Sequence, residues 1–94
     1  MIEITAVSFG QADQAKAHEH ITAVLWRSAG TSQGHTSRQA IVEWLSASIA
    51  NQAVVANGSD YVRVAVVRPA DQAPYLRAQA DGVWTDDLLA LPTF

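Results

Sequence analysis

The chain has 94 residues, 49% of them hydrophobic, with no cysteine and a net charge of −3. That is enough apolar material for one core, so residues 1–94 are expected to form a single folded domain. It excludes a disulfide framework, cysteine zinc sites and thiol catalysis, and it speaks against a duplex nucleic-acid surface, which needs clustered Lys and Arg.

Lys16 is the one lysine, and the arginines are dispersed. No apolar run approaches the roughly 20 residues of a membrane span. The opening Met1-Ile2-Glu3-Ile4-Thr5 lacks the basic and apolar parts of a signal peptide. A reducing cytoplasm is therefore the expected setting.

Residues 2–9 alternate apolar and mixed side chains and predict a first strand, which Gly10 ends. Residues 11–19 are polar and read as a connection with room for a helical turn. Residues 20–27 predict a second strand, with Ile21, Ala23 and Leu25 on one face and His20, Thr22, Val24 and Trp26 on the other. Residues 28–35 read as a loop of small residues containing Gly30 and Gly34. Thr36, with Gln39 three positions on, has the pattern of a capping box at a helix start. Ile41, Trp44, Leu45, Ser48 and Ile49 then fall on one helical face, broadened by Val42, and the helix is expected to end near Ala50 or Asn51.

Residues 53–56 predict a short strand, Asn57-Gly58 a hairpin turn, and residues 60–68 a long strand with Val62, Val64 and Val66 on one face. In the tail, Tyr75, Arg77 and Gln79 alternate with Leu76, Ala78 and Ala80 as a strand. Asp81-Gly82 marks a tight turn. Val83-Trp84-Thr85 can return antiparallel, and Asp86-Asp87-Leu88-Leu89 can start a helical turn capped by Thr85 or Asp86. Leu88, Leu89, Leu91 and Phe94 are too apolar to trail in water, so they are expected to fold back on the core or enter a partner chain. The fold class is α+β in two layers. An antiparallel sheet of about five strands carries one amphipathic helix on one face, in the order β-β-α-β-β-β.

Several motifs resemble a known family. They are His20-Ile21 leading to Trp26, the capped helix with Trp44, Pro74-Tyr75-Leu76-Arg77, Ala80-Asp81-Gly82, Trp84-Thr85-Asp86 and Leu88-Leu89-Ala90-Leu91-Pro92. Together they resemble small bacterial proteins grouped as a domain of unknown function, DUF3892. The likeness spans nearly the whole chain, and the tail is its specific part. The family pattern carries Asn at the position of Asp87, where this chain departs. The resemblance implies a small domain of bacterial or phage type and brings no activity, cofactor or catalytic residue.

The candidate residues fall into three sets. Trp26, Tyr75 and Trp84 offer aromatic surface beside Arg63, Arg68 and Arg77, and Asp81, Thr85 and Asp86 add polar groups in the tail. Trp, Tyr and Arg together are the composition of an interface centre. The leading expectation is therefore a non-enzymatic binding module, a homo-oligomer and most simply a dimer, meeting its partner through the sheet face and the C-terminal tail. The same arginines, converging, would pair with the phosphate of a nucleotide-like small molecule while an aromatic stacks on its base. The third reading is a metal-dependent hydrolase. His18 and His20 would share one side of a strand, join His35 from the next loop as metal ligands, and act with the aspartates. No phosphate-loop or nucleophile-elbow motif is present and no cofactor is implied.

Overall fold

The computed structural model describes residues 1–10, 17–28, 30 and 32–94. Its strands are β1 (Ile2–Phe9), β2 (Ile21–Ser28), β3 (Gln33–Ser37), β4 (Ala53–Asn57), β5 (Asp60–Val67), β6 (Tyr75–Ala80) and β7 (Val83–Thr85). The one α-helix among the described residues is α1 (Arg38–Ala47), and a 3-10 turn spans His18–His20. The seven strands form one sheet in the order β3-β2-β1-β4-β5-β6-β7. The α+β expectation with one covering helix therefore stands, while the count of about five strands and the order are corrected.

The main correction is β3. Gln33-Gly34-His35-Thr36-Ser37 has no apolar alternation, yet it pairs with β2 from Ala23↔Ser37 to Arg27↔Gln33. The ladder supplies its backbone partners, which is enough for a short polar edge strand. The sheet is also mixed, since β1 and β4 run parallel at Ile2↔Ala53 and Glu3↔Val54. A parallel pair needs a crossover, and here β2, β3 and α1 lie between the two strands in the chain. Part of the connection expected over residues 11–19, namely 11–16, lies outside the described residues.

The helix begins one residue later than the capping-box pattern suggested. Ser37 is the N-cap, and its Oγ accepts from the Ala40 amide at 3.2 Å. Thr36 is still in β3, where its hydroxyl accepts from Trp26 Nε1 at 2.9 Å. The helix also ends earlier, at Ala47. Ser48 is extended, and Asn51 Nδ2 donates back to the Trp44 carbonyl at 2.8 Å, satisfying one carbonyl left over at the helix end. Ile41 and Val42 enter the core, while Ile49, expected on the same stripe, is 87% exposed.

The core is built from Ile4, Val7, Ile21, Val24, Val55, Leu76 and Leu88, all fully buried. Each such side chain contributes about 1.5–3 kcal/mol by leaving water. Two irregularities set the faces of β1 and β2. The β1–β2 register shifts between Ile4 and Ala6 and again between Ser8 and Phe9. The extra residues are Thr5 on β1 and Thr22 on β2. Each bulge breaks the simple alternation, so Ile21, Val24 and Trp26 all pack with the core. Trp26 therefore lies beneath the helix, beside Ile2, Thr36, Ile41 and Trp44, rather than on the opposite face.

The Asp81-Gly82 turn follows the expected chemistry, while the first hairpin turn lies one residue later than the expected Asn57-Gly58. Asn57 pairs with Asp60, leaving Gly58-Ser59 as the loop, with positive φ (63°) at Gly58 alone. Ala80 pairs with Val83, and Asp81 and Gly82 take φ of 52° and 80°, as a type I′ turn requires. The tail then folds back on its own chain. Asp86 O accepts from the Leu89 amide at 3.0 Å, which seats Leu88 in the core. Thr93 forms a parallel bridge to Val7, with Val7 N donating to Pro92 O at 3.0 Å and Phe94 N to Val7 O at 3.1 Å. The expected helical turn is thus a bonded turn, and the leucines are used inside the fold. Among the described residues no helix is long and apolar enough to cross a membrane.

Candidate functional site

The helix covers one face of the sheet. On the other, one side chain from each strand lies in register: Gln33, Arg27, Glu3, Val54, Arg63, Gln79 and Trp84. Directly paired residues point to the same side of a sheet, so this row crosses the whole open face. Arg27 and Glu3 are ion-paired at 3.1 Å. Arg63 is exposed, and Tyr61, two residues along β5 and so on the same face, is 63% exposed. Met1, Glu3, Arg27, Val54 and Tyr61 line an open recess of about 550 Å³ at one end of this face. Trp84 ends the row on the edge strand β7 at 40% exposure, beside Val83 at 65%.

Of the candidate residues, Arg77, Thr85 and Asp86 come together. Arg77 Nε donates to the Thr85 carbonyl at 3.2 Å, and its Nη2 meets Asp86 Oδ1 at 3.0 Å. Thr85 Oγ1 donates to Asp87 Oδ2 at 2.6 Å, a role in which an Asn carbonyl would serve as well. His18 adjoins the cluster, with its Nε2 4.0 Å from Asp86 Oδ1. The ring is buried, and among the described residues Nε2 has no hydrogen-bond partner. Burial holds the His18 pKa below its ordinary value of 6.5; Arg77 pushes the same way, and Asp86 and Glu19 push back.

The remaining candidates are scattered. Arg68 donates to Ser46 on the helix and lies in a recess with Arg38 and Glu43, away from the face that carries Arg63 and Arg77. Tyr75 is half-buried opposite Val67, and Asp81 is occupied as a turn residue. His18 and His20 share a 3-10 turn rather than one face of a strand. His35 stands on β3 with its ring edge-on to Phe94, centroids 5.4 Å apart. Among the described residues no three His, Asp or Glu side chains converge as a metal set. Sequence reading passed over Glu3 as a site residue; Tyr61 stood among its adhesive aromatics, on one face of residues 60–68 with Arg63, but was not carried into the candidate set.

No curated protein and no solved structure matches the chain. The family model described as "Protein of unknown function (DUF3892)" matches residues 3–92. That match takes in nearly all of β1, the helix and the tail as far as Pro92, and on it the chain belongs to the DUF3892 family.

Proposed function

We propose that this domain is a non-enzymatic binding module that pairs with a second copy of itself through the open face of its sheet, at the corner where Tyr61, Arg63 and Trp84 stand. The observation that carries this reading is the shared exposure of Tyr61 and Trp84 on the face that carries Arg63, an arginine with no hydrogen bond or ion pair among the described residues. Aromatic residues and arginine dominate the centres of protein interfaces, and a flat sheet face with a short edge strand favours a protein surface as partner. The polar tail groups have partners of their own: Asp86 holds Arg77, and Asp87 holds Thr85. They need no substrate to explain them.

The test is native mass spectrometry of untagged protein, with sedimentation of the wild type beside Trp84→Ala and Tyr61→Ala. The expected result is a species at twice the 10.1 kDa chain mass that both substitutions shift toward monomer. A wild type that stays monomeric at every concentration defeats the reading. A nucleotide-like ligand is the second reading, favoured by Arg63 sharing its face with Tyr61 and Trp84. An added mass in the same spectrum that Arg63→Gln abolishes is its expected signature.

A further inference from the structure

His18 sits against β6 and the C-terminal turn, 6% exposed, with Nε2 unpartnered among the described residues and directed at Asp86. The charges that face it come from three places: Arg77 on β6, Asp86 just after β7, and Glu19 on its own turn. Asp86 matters to both ends of the tail. Its carboxylate holds Arg77, and its carbonyl accepts from Leu89 in the turn that seats Leu88. Beyond that turn the tail reaches β1 through two backbone hydrogen bonds, both at Val7.

We propose that His18 is an acid-sensitive latch on this C-terminal strap: protonation of its buried Nε2 places a second cation beside Asp86 and loosens the segment from Leu88 to Phe94. A neutral imidazole is tolerated at this buried site. An imidazolium is not, because a buried charge needs a hydrogen-bonded partner. Among the described residues the carboxylate that approaches it is that of Asp86, and 4.0 Å is too long for a hydrogen bond. Asp86 must therefore move about 1 Å toward His18 to reach bonding distance, drawing away from Arg77. The turn that begins at Asp86 moves with it. Past Leu88 the strap yields first, because its backbone meets β1 through two hydrogen bonds at one residue and its Phe94 ring meets His35 on β3, whereas β6 is held by ladders on both sides.

The experiment is a two-dimensional NMR titration of the full chain from mildly alkaline to mildly acidic pH. The amides of Val7, Leu89 and Phe94 are expected to shift with one midpoint, shared with the His18 ring, while β5 amides hold still. In His18→Gln the strap amides are expected to lose that transition. Asp86→Asn should lower the His18 midpoint and Arg77→Gln should raise it, and both remain informative if His18→Gln folds poorly. The proposal is overturned if the strap amides titrate with another midpoint, if they still titrate in His18→Gln, or if the two charge variants leave the midpoint in place.

Discussion

Trp26 and Gly34 form a directly opposed cross-strand pair in which the indole covers the bare glycine backbone. A Cβ built at Gly34 would lie 2.5 Å from Trp26 Cζ2 and 2.8 Å from Cε2. The same edge of the ring is pinned by the 2.9 Å bond from Nε1 to Thr36, so it cannot swing away without breaking that bond. Gly34→Ala is therefore expected to destabilise the fold by about 1–3 kcal/mol, the usual range for overpacking. Urea unfolding read by tryptophan fluorescence would measure it. An unchanged midpoint would mean that the ring is free to move.

Leu88 and Ile49 make a matched pair of truncations. Leu88 is fully buried and Ile49 nearly fully exposed. Leu88→Ala is expected to cost about 2–5 kcal/mol, as for other core leucines, and to release the tail to carboxypeptidase. Ile49→Ala should stay within about 0.5 kcal/mol of wild type. Equal effects would place the helix end wrongly.

The Asp81-Gly82 turn predicts a sharp asymmetry. Both residues have positive φ. Asp81→Asn should be near neutral, because Asn tolerates the left-handed region, while Gly82→Ala should cost about 1–2 kcal/mol. Thermal unfolding of the two variants side by side would show the difference.

His18 also gives the whole protein a pH dependence. Its folded-state pKa lies below the ordinary value, chiefly because of burial. The unfolded chain therefore binds the proton more readily than the folded one. The penalty is absent above the unfolded imidazole value of 6.5. It grows as pH falls through that value and levels off below the folded one. Urea midpoints across that interval should fall more steeply for the wild type than for His18→Gln, and parallel curves would show that His18 contributes nothing.

Much of the local grammar was legible. The Ile41 and Val42 face of the helix, the Val62 and Val64 face of β5 and the Asp81-Gly82 turn all follow from period and turn chemistry. What escaped depends on partners distant in the chain. Thr36 looks like a cap, but Trp26 claims its hydroxyl, so Ser37 takes the role. β3 is polar and becomes a strand only because β2 lies beside it. A period-two reading runs straight through Thr22 and cannot see that the bulge there brings Ile21 onto the core face that Val24 and Trp26 share. Among the site candidates, the nearness of Arg77 to Asp86 follows from the turn between them. The approach of His18 to the same carboxylate joins opposite ends of the chain, and no local pattern announces it.

The parallel seam between β1 and β4 bears on how the chain reaches this fold. On either side of it the strands follow one another closely in the chain, with β1, β2 and β3 in one half and β4 to β7 in the other. Each half can assemble from contacts between near neighbours, and α1 arrives with the first. The seam is different, because Ile2 and Glu3 must find Ala53 and Val54 across the whole first half of the chain. Closing so long a loop is entropically slow. The topology therefore leads one to expect the two halves to form first, with their joining at the seam and the strap crossing back to Val7 as the slower steps.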